Sequence, residues 1–467
     1  MSEIVSSAGR VARSPAFKFF LIAFLILMLL VPLLIVGGLV SERESRAQSV
    51  TADVARTWGG MQQLTGPYLV VPYTVRVEVQ EGDKVIQRTL ERRAVFLPDE
   101  LTFTADAKSG VLHRSIFDVN VYTATVAVAG RFAAPDLAEV APDAISVRWQ
   151  DAIFALALND VSGLKVAAML SINGRDKLPF QPSLGVPAAN LNGIHAKLAS
   201  APSAAASDGK VAAFDFHADL HFTGSSSLNF APAARETRVE LTSDWPHPSF
   251  NGAFLPIERT VKADGFSAKW RVPHLARSVP QSWTTMDSGL DRFLIYQFGV
   301  SLNQPVDFYG LVMRAVKYGV LFLAIAFMAV FVLELLSKKR VHAVQYVFVG
   351  LAMVFFYVLL LSLSEHLGFA VAYVIASAAT GGMLAVYVAK SLGSASSGVL
   401  MAIMFALLYG FLYLVLQLED YALLAGALLG FAALTAVMFA TLKVDWSGLG
   451  PQADRDSLSD AVHDEVV

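Results

Sequence analysis

Two apolar blocks bracket a polar middle: Phe19 to Val40 near the N-terminus, and most of roughly the last 150 residues. A helix needs about 20 consecutive apolar residues to cross the hydrocarbon of a bilayer. The chain therefore belongs in a membrane, with about 270 water-compatible residues between two embedded parts. Composition averages the two halves and describes neither, with 55% hydrophobic and 16% charged residues and a mean hydropathy of +0.53. A net charge of -3 offers no basic field to recruit nucleic acid. The absence of cysteine removes disulfides, thiolate metal sites and cysteine nucleophiles.

Charge placement orients the spans. Arg10, Arg13 and Lys18 precede the first apolar run as they would in a signal peptide, but the run is about 22 residues, against roughly 7–15 for a cleavable core. Ser41-Glu42-Arg43-Glu44-Ser45-Arg46 follows in place of a small-residue cleavage site, so an uncleaved signal anchor is expected. Hydropathy adds spans at about 318–336, 341–363, 367–389, 399–416 and 421–442, six in all. Lys338, Lys339 and Arg340, then Lys390, then Lys443 fall on the side of the N-terminus, whereas Ser364-Glu365-His366 and Gln417-Leu418-Glu419-Asp420 carry no Lys or Arg. The positive-inside rule makes the basic side cytoplasmic. The expected order is a cytoplasmic N-terminus at 1–18, an anchor at 19–40, an extracytoplasmic domain at 41–315, a five-helix membrane domain at 316–443 and a cytoplasmic tail at 444–467.

The polar block reads as mainly β. Tyr68 to Gln80 and Val85 to Leu97 flank Glu81-Gly82-Asp83-Lys84 as a hairpin, and further extended runs cover Val119–Phe132, Ala144–Gln150, Gly163–Ile172, Val211–Phe222, Arg235–Thr242 and Glu258–Val272. Many short strands at this spacing predict a sandwich-like fold. Ser200 to Lys210 reads as a flexible loop and the best internal boundary, and Glu42 to Met61 as an outward continuation of the first helix.

Signals for chemistry are sparse. Asp215, His217, Asp219 and His221 alternate with Phe214, Phe216, Leu220 and Phe222, a pattern that fits a metal-binding face but fits an amphipathic strand better. His247, between two prolines, is a similarly weak ligand. No metalloprotease, hydrolase-elbow or phosphate-loop motif occurs, so the chain reads as non-enzymatic, with no metal and no cofactor. Ionisable residues beside spans are costly and must be accounted for singly. Glu334 has Lys338 four residues on, at ion-pair spacing. Glu365, His366, Glu419 and Asp420 occupy the two non-basic turns, and Arg314 and Lys317 precede the second span on the same side. These six residues form a candidate functional junction, with Arg314 or Lys317 expected near Glu365 or Glu419.

Val344-Gln345-Tyr346, then Tyr357-Val358-Leu359-Leu360-Leu361-Ser362-Leu363-Ser364-Glu365-His366-Leu367-Gly368-Phe369 and Tyr373, resemble the hallmark of the CreD inner-membrane protein family. The resemblance extends to Leu416-Gln417-Leu418-Glu419-Asp420-Tyr421, Val444-Asp445-Trp446, Arg13-Ser14-Pro15, Trp58-Gly59-Gly60, Gly66-Pro67 and Val71-Pro72-Tyr73. It also takes in Phe250-Asn251-Gly252-Ala253-Phe254-Leu255-Pro256, Gly265-Phe266-Ser267-Ala268-Lys269-Trp270, Pro280-Gln281, Phe298-Gly299-Val300-Ser301 and Gln304-Pro305-Val306-Asp307. The Ala-rich stretch at about 135–235 matches little. The resemblance implies a Gram-negative inner-membrane protein with a periplasmic domain, tied to cell-envelope integrity, colicin tolerance, β-lactam and other envelope-stress responses, and the regulon of the CreBC two-component system. It implies no catalytic residues. Two functions are carried forward: a periplasmic domain that binds an envelope protein or glycan above a membrane anchor, or a pathway for an ion or lipid through the C-terminal helices. The lipid bilayer is a partner under either.

Overall fold

A computed structural model describes residues 15–441 except 82, 187–190, 207–208, 285–289, 303–306, 338–340 and 419–420. Arg10, Arg13, Lys338, Lys339, Arg340, Glu419, Asp420 and Lys443 lie outside the described residues. The chain forms two compact units, Met1–Arg46 with Val306–Val467, and Ala47–Pro305.

The first unit is helical. Helix α1 (Pro15–Trp58) runs on past the apolar run, as the Ala- and Arg-rich sequence after Val40 suggests, and its residues from Ala47 belong to the second unit. Helices α2 (Phe308–Ser337), α3 (Ala343–Leu367), α4 (Phe369–Leu392), α5 (Ala395–Gln417) and α6 (Ala422–Thr441) follow. Among the described residues, α1 to α5 are long and apolar enough to cross a membrane. The expected sixth span is not established, because the described apolar part of α6 is Leu423–Phe439, roughly 26 Å at helical rise against a hydrocarbon core of ~30 Å.

Along α1, Ile22, Leu25, Leu29, Leu33, Val36 and Val40 are buried, whereas Phe24, Met28, Val31 and Ile35 are exposed. The buried seam repeats every three or four residues, one face of a helix. It meets glycines: a Cβ on Gly319 of α2 would lie 2.9 Å from Leu33, and one on Gly350 of α3 would lie 2.1 Å from Leu29. Lipid tails are as apolar as leucine, so helices associate in a membrane through close fit, and small residues permit it.

The second unit is a two-sheet β structure, in keeping with the sandwich-like expectation. One sheet is ordered β14 (Ser249–Gly252), β18 (Phe298–Ser301), β12 (Ser227–Phe230), β1 (Gln62–Glu81), β6 (Ile153–Leu158), β10 (Gly193–Lys197) and β9 (Gln181–Pro182), with β2 (Lys84–Phe96) and β5 (Ala144–Val147) also on β1, and β17 (Ser282–Thr284) on β2. The other is ordered β15 (Glu258–Lys262), β16 (Gly265–Pro273), β13 (Glu236–Ser243), β3 (Glu100–Arg114), β4 (Phe117–Phe132), β11 (Phe214–Ser225), β7 (Met169–Ile172) and β8 (Asp176–Pro179). The expected hairpin is β1 against β2, in register from Leu69↔Phe96 to Glu81↔Lys84. The sheets meet through aromatic rings, with centroids 5.1 Å apart for Phe103 and Phe230, 5.2 Å for Phe154 and Phe216, and 5.7 Å for Trp270 and Phe298.

Three expectations need correction. The run Glu258–Val272 is two strands paired from Glu258↔Lys269 to Lys262↔Gly265. Only Met169–Ile172 of the run Gly163–Ile172 is a strand. The described part of the Ser200–Lys210 stretch packs into the β unit and does not divide it. Ala201 and Ala204 are buried in its core, Asn173 Nδ2 donates to the Ser203 carbonyl at 2.9 Å, and Asp176 accepts from the Ser203 amide at 3.0 Å.

Where α1 ends in the β unit, Trp58-Gly59-Gly60 makes a dense junction. Gly59 has φ +130, and a Cβ there would lie 2.4 Å from the Thr223 carbonyl oxygen. The motif is thus a site of backbone contact that only glycine fits. Gly59→Ala should cost the β unit about 1–3 kcal/mol, read as a lower unfolding midpoint of the detergent-solubilised full chain by tryptophan fluorescence.

Candidate functional site

The Glu365 side chain is 4% exposed near the C-terminal end of α3. A carboxylate in that setting must be met by donors. Arg43 of α1 binds it in a two-pronged pair, Nε to Oε1 at 3.0 Å and Nη2 to Oε2 at 2.8 Å. The Tyr309 hydroxyl, on the first turn of α2, donates to Oε1 at 3.1 Å. The guanidinium fork matches a carboxylate in geometry as well as charge. One carboxylate therefore ties α1, α2 and α3 together. Arg43 is three residues before the helical unit gives way to the β unit, and Tyr309 is four residues after the β unit ends, so the clamp joins the two chain segments that bound the β unit.

Of the candidate residues, Glu365 is in this cluster and its ionic partner is Arg43. His366 beside it is exposed, Arg314 is half-buried on α2 and Lys317 is exposed on α2. Glu419 and Asp420 lie outside the described residues. Arg43 is not among the sequence candidates, although a signal for it is present: the buried seam at Leu29, Leu33, Val36 and Val40 reaches Arg43 at the next step of three.

At the far end of α2, Glu334 is also buried. Its Oε1 accepts from the Val341 amide at 3.1 Å and its Oε2 from the Tyr346 hydroxyl at 3.1 Å. It thereby holds the start of α3, where free amides and the helix dipole favour an anion. The expected partner Lys338 lies outside the described residues. Between these ends, the Tyr373 hydroxyl donates to the Tyr409 carbonyl at 2.6 Å, and Thr380 Oγ1 lies 3.3 Å from the Tyr409 hydroxyl. Together they pin α4 to α5.

In the β unit, Asp215, His217, Asp219 and His221 face outward while the intervening Phe214, Phe216, Leu220 and Phe222 are buried. His217 pairs with Asp219 at 3.2 Å, and His221 Nδ1 lies 3.1 Å from Thr125 Oγ1. No group of three or more metal-ligating side chains occurs among the described residues. Asp160 is better built. Its carboxylate accepts from the Gly60 amide at 2.8 Å, the Ser162 amide at 2.9 Å and the Ser162 hydroxyl at 2.6 Å. Gln62 Nε2 links the same segment to Thr223 by donating to the Asp160 carbonyl at 3.1 Å and the Thr223 carbonyl at 3.0 Å.

Partial burial would raise the Asp160 pKa, but the Ser162 hydroxyl and the Gly60 and Ser162 amides outweigh it and hold the carboxyl below its ordinary value. Folding thus lowers this pKa, and the unfolded chain takes up the proton first as pH falls. The stabilisation is complete above the unfolded value of about 3.9 and is lost as pH falls through the folded one. In Arg277 the balance runs the other way: burial pulls its guanidinium down to about 10. It lies over the Phe293 ring at 5.3 Å and donates to the Ala234 carbonyl at 3.1 Å.

A bundle of membrane-length helices, closed at one end by a clamped carboxylate and carrying a two-sheet β unit between its first and second helices, defines an integral membrane protein with a large inserted domain. The pattern of the family described as "Inner membrane protein CreD" matches residues 14–447. "Inner membrane protein CreD" of Escherichia coli (strain K12) is 32% identical over 424 residues, 90% of this chain and 91% of that protein. The chain belongs to the CreD family of inner-membrane proteins.

A double-mutant cycle of Arg43→Gln and Glu365→Gln should give a coupling of about 1–3 kcal/mol when unfolding of the helical unit is followed in mixed micelles. Additive single effects would show that the pair does not hold the helices. Asp160→Ala should cost about 1–2 kcal/mol at pH 7, and the deficit should shrink as unfolding curves are taken from pH 5 down to pH 3.

Proposed function

We propose that this protein is a non-enzymatic inner-membrane factor that supports envelope integrity under stress in a Gram-negative cell. In this reading the β unit is periplasmic and binds an envelope protein or glycan. Six spans, α6 included, anchor it with both termini in the cytoplasm. The basic residues Lys338, Lys339, Arg340, Lys390 and Lys443 support that orientation, and the CreD family supports the membrane.

The observation that carries the anchoring role is the engagement of Glu365. A carboxylate that accepts three hydrogen bonds from two other helices is occupied in holding those helices. Its oxygens are poorly placed to bind a passing ion. For binding, the β unit exposes large apolar side chains: Leu255 at 66%, inside the Phe250–Pro256 motif, Leu275 at 85% and Ile295 at 74%.

A charge swap separates anchoring from transport. Arg43→Glu with Glu365→Arg should restore the survival under β-lactam and detergent stress that either single change impairs, because a clamp needs the pair and not its polarity. If the swap fails at normal membrane abundance, the carboxylate itself is required at position 365 and the transport reading gains. The binding role is checked by photo-crosslinking from positions 255, 275 and 295 of the full chain in cells. Recovery of no envelope protein or glycan from any of them, under stress or without it, would overturn that part.

A further inference from the structure

The helical unit contains a groove of about 460 Å³ between α2, α5 and α6, open on one side and lined by apolar side chains alone. Leu321, Met328 and Val332 form its α2 wall, Gly430 and Ala433 its α6 wall, and Met404 contributes from α5. Gly430 and Ala433 hollow it out: a Cβ on Gly430 would lie 3.8 Å from Leu321, so a longer side chain there would enter the groove. Lining runs from Leu321 to Leu333 on α2, roughly 18 Å at helical rise. That is close to one leaflet of a ~30 Å hydrocarbon core.

What distinguishes this groove from a chance gap is its head. Lys317, Leu321, Ala324 and Met328 follow one another by four, three and four residues, a single strip of α2. Lys317 is exposed one turn beyond the end of the groove, roughly 6 Å along the helix from Leu321, and Arg314 is one step further. A lysine there lays its aliphatic stem along the helix and keeps its ammonium at the level of phosphate groups. An exposed lysine runs against the usual charge bias of that side, and an anionic headgroup accounts for it.

We propose that the groove is a binding site for an anionic phospholipid, with one acyl chain between α2 and α6 and the phosphate at Lys317. The test uses the detergent-solubilised full chain, titrated with dioleoylphosphatidylglycerol or dioleoylphosphatidylcholine and read by native mass spectrometry. Phosphatidylglycerol should be retained ~5-fold better, the effect of one interfacial cation. Gly430→Leu should abolish retention of both lipids, and Lys317→Gln should erase the preference while leaving the neutral lipid bound. Equal retention of the two lipids by the unaltered protein would overturn the proposal. So would a bound lipid indifferent to Gly430→Leu, or a second copy of the chain recovered in place of lipid. Should Gly430→Leu fail to fold, Lys317→Gln decides alone, since its side chain is exposed: an undiminished preference rules the headgroup site out.

Discussion

A carboxylate 4% exposed at the end of an apolar helix is tolerable only with its donors in place, and Glu365 takes them from Arg43 and Tyr309. The arrangement constrains more than three side chains. Removing Arg43 would leave the buried Glu365 carboxylate without its ionic partner, so α1, α2 and α3 are held to one mutual register at this end. Glu334 imposes a similar condition at the other end of α2, through the Val341 amide and the Tyr346 hydroxyl. Tyr309 and Glu334 are roughly 38 Å apart along the helix, so the polar fastenings sit near the two ends. The glycine-mediated fit of Leu29 and Leu33 lies between them.

The β unit follows the opposite logic, in that water supplies the driving force. Without disulfides, its cohesion comes from burying the inward faces of two sheets. Phe103, Phe132, Phe154, Phe214, Phe222 and Phe230 are all less than 2% exposed. Rings from facing sheets sit at 5–6 Å, a spacing at which aromatic pairs contribute beyond the area they bury. The family motifs fall at points of enforced closeness. Trp58-Gly59-Gly60 is fixed by Asp160 and by the backbone at Thr223, and Trp270 Nε1 donates to the Phe254 carbonyl at 3.2 Å. Their distinctiveness in the sequence therefore reflects packing at least as much as recognition.

Much of this architecture is legible in the order of residues alone. A period-two pattern marks β11, with Asp215 to His221 outward and phenylalanines inward, and a turn cluster marks the β1–β2 hairpin. Strands built from alanine carry a fainter mark. In β3 the inward positions include Ala105 and Ala107, which have weak strand preference alone and gain it from their neighbours. The nearly continuous apolar run of β6 has no period to read. Glu365 stands out because a charge next to a span needs a reason. Arg43 does not, because its partner is 322 residues away in the chain, and a pairing at that range leaves no local pattern beyond the seam it continues.

The helices are not equally committed to the bundle. The described part of α3 buries eleven residues, whereas no described residue of α6 is buried and Leu423, Phe431 and Phe439 are widely exposed. Helix α6 touches its neighbours through small residues, with a Cβ on Gly426 3.6 Å from Tyr318 and one on Gly430 3.8 Å from Leu321. A helix held by so little buried contact leans on its solvent, which in a membrane is lipid. The groove opens along this border, where packing is thinnest. A lipid tail there would complete the contact that the side chains leave unfinished, and the fastened core of α1, α2 and α3 would be left undisturbed.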